Sequence, residues 1–336
     1  MIFLLQKTLI FTIPLLIVAL AGMYAERSGI INIALDGIMI FGAFAGALTA
    51  FFLRENPFFV DHNQLTFILS MLVATISGAL FSLLLCFSAI KLKADQTIAG
   101  TALNMLAPAI ALFFIKIYFE KDMLEMPSAP NGNGDPTDFG YALLNNDIDN
   151  PVGKVLFDKA YISTFIALAL FILLSVIIYK TKTGLRLRSC GEHPQAAASV
   201  GIDVNKMRYL GTTISGALAG LGGYIYIATV ANGTATDAVA GMGFLAIAIM
   251  IFGNWKPLGI ALGALLFGFL KCLGVIYGQI SININGEEIY FLKNLNLPMY
   301  FYNMIPYVVV LVVLAFTSKR SRAPKAEGIP YDKGMR

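Results

Sequence analysis

The sequence IFLLQKTLIFTIPLLIVALAGMY, residues 2–24, contains a single charged residue, Lys7. A helix of about 20 apolar residues crosses a hydrocarbon core of about 30 Å, so this run predicts a membrane span. The run is longer than the roughly 7–15 apolar residues of a signal peptide, and no clear small-residue cleavage site follows it. We therefore expect a first span that is retained.

The rest of the chain repeats this pattern. Of 336 residues, 57% are hydrophobic and 13% are charged, whereas about 25% of the residues of a soluble domain are charged. Apolar runs predict about nine transmembrane helices, at residues 2–24, 38–53, 65–90, 97–119, 161–179, 207–231, 239–253, 258–277 and 300–317. The fold class is an all-α integral membrane protein.

Two of these spans, the second and the seventh, are short and follow polar segments that contain glycine, at residues 28–37 and 232–240. Backbone outside a helix cannot face lipid, because its N–H and C=O groups would lack hydrogen-bond partners. We therefore expect a broken or re-entrant helix in each half of the chain, buried in protein or lining a cavity.

Lysine and arginine residues set the orientation. If residues 181–206 form a cytosolic loop and residues 319–336 a basic cytosolic tail, sixteen Lys and Arg lie inside and six outside, as the positive-inside rule requires. The transmembrane domain at residues 1–318 then carries an external acidic loop at residues 120–160, and the N-terminus lies outside. Lys271 falls near the outer end of a span and is interpreted as reaching the interface.

The sequence contains no motif for chemistry of its own. The patterns GxxxxGK[ST], HExxH and GxSxG are absent, as are several charges at mid-span. Cys86, Cys190 and Cys272 are too far apart for a CxxC site and are interpreted as inert thiols. We expect a transport subunit without an enzymatic site, cofactor or nucleic-acid partner, driven by another protein.

A short helix is predicted inside the loop at residues 181–206. Pro194 suits the first helical turn, the alanines after it favour helix, and Gly201 suits the C-terminal stop. Such a helix, parallel to the membrane and preceded by basic residues, would be a docking site for a cytosolic motor. An ordinary positive-inside loop is the alternative.

The first half of the chain contains two stretches that resemble a known family. Residues 26–37, ERSGIINIALDG, resemble the segment ERSGVxNIGxEG of permease subunits of ABC importers for branched-chain amino acids, simple sugars and nucleosides, with Asp36 where Glu is common. Residues 96–107, QTIAGTALNMLA, resemble the next polar helix of that family.

The second half contains two more. Residues 184–201 resemble the coupling loop GLRLRAVGENPxAAxxxGI, with His193 where Asn is usual. Residues 241–268 contain IFGNWKPLG, which resembles IFGRWNPLG. The four stretches occur in the order of the family, and the nucleoside branch, served by Bmp-type binding lipoproteins, is the most similar.

The resemblance implies a set of partners. Two cytosolic ABC ATPase subunits use ATP, an external substrate-binding lipoprotein delivers the solute, and a second permease completes the pore in the bacterial plasma membrane. The chain begins almost directly at its first span, as the shorter permease of nucleoside systems does, so the second permease is expected to be longer and non-identical. The resemblance assigns ATPase coupling to Gly191, Glu192, His193, Pro194, Ala197 and Gly201.

The substrate path is expected at the two breaks and inside the fourth span. The polar residues there are Asn32, Asp36, Asn104, Thr234 and Asp237. A short, glycine-interrupted segment in each half is typical of a binding site at the membrane midplane. The alternatives are that Asp36 caps the helix after it and that Asn104 only bonds neighbouring helices.

The predicted function is import of nucleosides by an ATP-driven complex. Simple sugars, branched-chain amino acids and riboflavin are the alternative substrates within the family. A secondary transporter, or a membrane enzyme with its site in the outer loop, are the alternatives from other classes, and co-purification of an ATPase would distinguish them.

The charge distribution predicts the labelling of single cysteines in a cysteine-free background. A membrane-impermeant maleimide should label position 135 in intact cells and should leave position 327 unlabelled until the cells are permeabilised. The opposite pattern would contradict the predicted orientation.

Overall fold

We describe the fold from a computed structural model, which covers residues 2–126, 161–277, 282–284, 287–289, 298–317 and 322–332. Most of the described residues are helical. Most of the predicted acidic loop, residues 127–160, lies outside the described residues. Two small antiparallel pairs accompany the helices: β1 (Leu124–Glu125) with β2 (Thr234–Ala235), and β3 (Ile282–Ile284) with β4 (Glu287–Ile289).

Twelve α-helices lie within the described ranges. They are α1 (Ile2–Arg27), α2 (Leu35–Leu53), α3 (Pro57–Asp61), α4 (Asn63–Cys86, continued by a π turn at Phe87–Lys91), α5 (Gln96–Phe119), α6 (Ile162–Lys180), α7 (Lys182–Glu192), α8 (Pro194–Ser199), α9 (Val204–Thr229), α10 (Met242–Phe252), α11 (Pro257–Ile276) and α12 (Met299–Thr317).

Each of the nine predicted spans coincides with one of these helices, but the count of nine is not confirmed. Seven of the described helices are long and apolar enough to cross a membrane; α10 is shorter, and for α12 this criterion covers only residues Met299–Val313. Helix α10 has 11 residues, which at 1.5 Å per residue is about 16 Å and reaches only part of the way across. It begins at Met242, three residues later than the predicted seventh span.

Helices α1 and α9 form the centre of the bundle. Of the 18-residue apolar stretch of each helix, 89% is buried inside the protein in α1 and 78% in α9. The corresponding fractions are only 28% in α5 and 22% in α6. Helix α9 packs against α1, α2 and α4, and α1 also packs against α10 and α11. The exposed apolar faces of α5 and α6 suit lipid or another membrane subunit.

Glycine allows α9 to approach α2 and α4 closely. A Cβ atom on Gly78 would lie 2.7 Å from the Cα atom of Gly220, and one on Gly42 would overlap the same residue. In membranes, where lipid is as apolar as leucine, such close backbone contact is a main source of helix association.

The two predicted breaks have different structures. Residues 28–34 are irregular and almost completely buried between α1 and α2, as the first prediction requires. Residues 230–241 are also irregular, but several of them are exposed and the segment includes β2. The two breaks therefore differ in burial and in secondary structure.

The loop at residues 181–206 is a helical hairpin. The predicted short helix exists as α8, with Pro194 in its first turn, and the His193 Nδ1 atom accepts a hydrogen bond from the Ala196 N–H at 3.2 Å. The chain after it turns at Gly201, where φ is +84°. The basic residues before it form a second helix, α7. The Thr181 hydroxyl caps α7 by accepting a hydrogen bond from the Gly184 N–H.

Candidate functional site

Helix α2 begins inside the bundle, and Asn104 satisfies its first backbone groups. The Asn104 Oδ1 atom accepts a hydrogen bond from the Gly37 N–H at 2.7 Å, and its Nδ2 atom donates to the Ile33 carbonyl at 2.9 Å. The first N–H groups of any helix lack partners within the helix. Helix α5 begins at Gln96, and Asn104 lies eight residues later. The start of α2 therefore contacts α5 about 12 Å from the N-terminus of α5.

Helix α10 begins beside the same place, and Asp36 satisfies its start. The Asp36 Oδ1 atom accepts a hydrogen bond from the Gly243 N–H at 2.8 Å. A Cβ atom on Gly243 would overlap the Asp36 backbone, so only glycine fits there. The alternative that Asp36 caps the helix after it, α2, was wrong. Asp36 caps α10 instead, through Gly243, which lies 207 residues further along the chain. A carboxylate at a helix N-terminus is also favoured by the helix dipole.

We call this arrangement of Gly37, Asn104, Asp36 and Gly243 the mid-bundle junction. Both helices have their N-termini there. Among the predicted path residues, Asp36 and Asn104 therefore have structural partners in the described part of the chain, and each uses an oxygen that could otherwise accept a bond from a solute.

The backbone of the first break is held by two further side chains. The Ile31 N–H donates to the Gln96 Oε1 atom at 2.7 Å, and the Asn32 Nδ2 atom donates to the Ser215 hydroxyl at 2.9 Å. Asn32 is 1% exposed, and its Oδ1 atom has no partner among the described residues. Asn32 thus faces α9 inside the protein rather than an open path.

Thr234 and Asp237 do not reach the junction. Thr234 pairs with Glu125 in the small sheet, and Asp237 is exposed in the segment before α10. The expectation that they would match the first break was based on composition, and composition does not determine depth. In the structure, the second half contributes Gly243 to the junction instead.

Lys271 and Tyr307 are polar residues whose role the sequence did not reveal. The Lys271 ammonium donates to the Ala240 carbonyl at 3.2 Å and to the Tyr307 hydroxyl at 2.9 Å, and Tyr307 donates to the same carbonyl at 3.0 Å. Lys271 also interacts electrostatically with Asp36. Lys271 therefore links α11 to Ala240 and to α12, and the interpretation of Lys271 as a side chain that reaches the interface stays a prediction. The sequence feature that could have indicated this contact is a lysine and a tyrosine, each inside an apolar run.

A second site lies where the helical hairpin α7–α8 meets the end of α1. A Cβ atom on Gly191 would overlap the Arg27 carbonyl oxygen, so the hairpin packs directly on α1. The Arg27 guanidinium lies 3.5 Å from the Glu192 carboxylate and donates to the Trp255 carbonyl at 3.0 Å. The Trp255 indole N–H donates to the buried Glu26 carboxylate. We call this end of the bundle the basic end.

The predicted coupling residues divide into two groups. Glu192, His193 and Gly201 are exposed. The other three are buried and position the hairpin: Gly191, Pro194 and Ala197. The Ala197 side chain packs in a small cluster with Cys190 and Val204. Burial raises the pKa of Cys190, and all three cysteines are free and buried, as the sequence indicated.

The chain returns to the basic end after α12 as a segment that we call the C-terminal strap, residues 322–332. The Ala326 N–H donates to the Gly191 carbonyl at 2.9 Å, and the Gly328 N–H donates to the Gly29 carbonyl at 3.2 Å. The Arg322 N–H donates to the Asn254 Oδ1 atom at 2.9 Å. The described part of the predicted basic tail is thus bonded to the basic end of the bundle.

Glu327 of the strap faces Glu26 of α1; Glu26 is buried and Glu327 is half-buried. A carboxylate that is removed from water beside another carboxyl group is disfavoured relative to its neutral form. Burial raises the pKa of Glu327 from 4.5 to about 7. Exposed charges complete the attachment, with Lys93 and Asp332 paired at 2.7 Å.

The comparisons with known proteins cover nearly the whole chain. The family described as branched-chain amino acid transport system / permease component matches residues 4–314. The guanosine ABC transporter permease protein NupQ of Bacillus subtilis (strain 168) is 38% identical over 98% of this chain and 96% of its own length. The nucleoside ABC transporter permease protein NupC of Lactococcus lactis subsp. cremoris (strain MG1363) is 37% identical over 97% and 95%.

A second permease of that Lactococcus strain is also similar. The nucleoside ABC transporter permease protein NupB is 25% identical over 94% of this chain and 83% of its own length. No solved structure matches the chain.

Attachment of the strap should weaken as the pH rises. Because the pKa of Glu327 is higher in the attached strap, the attached form binds more protons, and its stability falls from about pH 4.5 through about pH 7. In a cysteine-free background, Ala326→Cys should react with a maleimide at least about threefold faster at pH 8 than at pH 5.5, relative to Ile329→Cys.

The reference position removes the intrinsic pH dependence of the thiol, because Ile329 is 56% exposed and Ala326 is 6% exposed. Adding Glu327→Gln, which cannot ionise, should abolish the pH dependence. A ratio that is constant with pH in the chain with Glu327 would contradict this account.

Proposed function

Because this chain belongs to the permease-component family of branched-chain amino acid transport systems, we propose that it is the transmembrane permease subunit of an ATP-driven nucleoside importer and forms half of the translocation pore. The proposal that the substrate is a nucleoside rests on sequence identities of 38% and 37%, over nearly the full length, to permeases named for guanosine and nucleosides. The family also argues against a secondary transporter or a membrane enzyme.

The ATPase subunits would bind at the basic end. Glu192, His193 and Gly201 are exposed on the hairpin α7–α8, and its buried side is held against α1 by Gly191. A short, firmly attached helix with an exposed polar edge fits a groove on a cytosolic partner. Under this proposal the hairpin and the C-terminus lie in the cytosol, and the sixteen basic residues assigned to that side support it.

The second permease would be a different chain. The Lactococcus strain has two nucleoside permeases, NupC and NupB, and this chain is more similar to NupC, at 37%, than to NupB, at 25%. A pair of related but unequal permeases in one organism supports a heterodimer, with this chain in the position of NupC.

The path would pass beside the mid-bundle junction. Asp36 is bonded to the start of α10, and Lys271 is bonded to Ala240 and Tyr307. Charges held in this way suit a neutral solute, because a nucleoside offers no counter-ion to a free buried charge. Phe244 and Tyr307, 51% and 40% exposed, offer aromatic faces on which a nucleobase can stack.

In this arrangement Asn32, Asp36 and Asn104 shape the path, and the aromatic side chains contact the solute. Thr234 and Asp237 stand at its outer end, in the segment before α10. The external binding protein would deliver the solute to that end.

Reconstituted vesicles test the substrate and the partners together. Vesicles that hold this chain, a NupB-like permease, the ATPase and the binding protein should take up labelled guanosine in a saturable, ATP-dependent manner. Phe244→Ala should lower uptake at least about fivefold, since stacking on one base is worth about 1–3 kcal/mol. Leu262→Ala, at an exposed position on α11, is the matched control.

Leucine uptake without nucleoside uptake would refute the substrate and leave the permease assignment standing. Full uptake by vesicles that contain this chain as the sole permease would refute the heterodimer.

A further inference from the structure

We propose that the C-terminal strap transmits the movement of the α7–α8 hairpin to the mid-bundle junction, with Gly328 as its positioning residue. This inference rests on the proposed function, because it concerns how an ATPase that moves the hairpin would change the pore.

The strap joins the hairpin to the backbone before α2. Ala326 binds the Gly191 carbonyl and Gly328 binds the Gly29 carbonyl, at 2.9 and 3.2 Å. The two donors are only two residues apart in the chain. A displacement of Gly191 therefore pulls on Gly29 through a very short length of backbone.

The strap also contacts the coupling helix itself. Tyr331 packs against the cluster of Cys190, Ala197 and Val204. Ala197 belongs to α8, and Val204 begins α9. The strap thus covers the inner side of the hairpin and leaves the exposed edge of Glu192 and His193 free for a partner.

A second attachment reaches the other helix of the junction. Asn254 lies in the turn after α10, and its Oδ1 atom accepts a hydrogen bond from the Arg322 N–H at 2.9 Å. Helix α10 leads from this turn to Gly243 and Asp36. The strap therefore touches the segments that connect to both helix starts, the break before α2 and the end of α10.

The hairpin also contacts α1 directly, through Gly191 and the Arg27–Glu192 pair. That contact ends at Arg27, before the first residue of the break. The strap adds separate points of attachment, so that rotation of the hairpin must displace the break or release the strap. This is a role in coupling, beyond a contribution to stability.

Gly328 is the position at which the strap can be displaced with least effect elsewhere. Its φ is +75°, and a Cβ atom there would lie 2.7 Å from the Ile31 Cδ1 atom. Gly328→Ala therefore strains the strap and pushes it away from the break. Ile31→Val removes the Cδ1 atom and should relieve the contact, so the double variant should recover part of the loss.

The experiment measures nucleoside transported per ATP hydrolysed in the reconstituted complex. Gly328→Ala should keep ATP hydrolysis within about twofold and lower the transport ratio at least about fivefold, the low end of ordinary coupling free energies. Lys325→Ala, at an exposed strap position, should leave the ratio unchanged. The double variant with Ile31→Val should transport more per ATP than Gly328→Ala alone.

An unchanged ratio in Gly328→Ala, or an equal loss in Lys325→Ala, would overturn the proposal. If Gly328→Ala folds poorly, Ala326→Pro, which removes the N–H that binds the Gly191 carbonyl, serves as the second variant and should give the same fall. Failure of the unmodified complex to transport nucleoside would instead refute the proposed function.

Discussion

The structure depends on one constraint: a helix that begins inside a membrane bundle has N–H groups that lipid cannot satisfy. Helices α2 and α10 both begin there. Asn104 supplies an amide oxygen to the first, and Asp36 supplies a carboxylate oxygen to the second. Since Asp36 itself lies in the first turn of α2, the two helix starts are held together. The glycine at position 243 follows from this closeness, because any side chain there would overlap Asp36.

The same helices connect the junction to the basic end. The break leads from Arg27 to the start of α2, and α10 leads from Gly243 to the turn at Trp255. Trp255 and Arg27 are themselves bonded. The hairpin and the mid-bundle junction are therefore joined by two short routes, each of which consists of a few residues or a single short helix. Under the proposed function, this is the distance over which ATP-driven motion would act.

Local signals in the sequence predicted a large part of this fold. Apolar runs located the helices, the polar break before α2 was correctly expected to be buried, and Pro194 and Gly201 delimited α8. The partner of Asp36 could not be predicted, because it lies 207 residues away and is a backbone N–H. Thr234 and Asp237 were placed at the path because their segment resembles the first break in composition, and its depth depends on packing. The sequence predicted the tail only as basic and cytosolic, because the backbone bonds that hold the strap leave no pattern in its side chains.

Hydrogen–deuterium exchange of the purified protein in lipid nanodiscs tests the central claim most directly. Asp36→Ala removes the acceptor for the Gly243 N–H, and hydrogen bonds to charged groups are worth about 1.5–3 kcal/mol, so amides of the first turn of α10 should exchange at least about tenfold faster. Asp36→Asn keeps a hydrogen-bond acceptor, so its exchange rate in the first turn of α10 should lie between those of the unmodified protein and Asp36→Ala. The exchange rates in α11 should be unaffected. Unchanged exchange in α10 of Asp36→Ala would contradict the account, because Asp36 would then have no part in holding the two helix starts together.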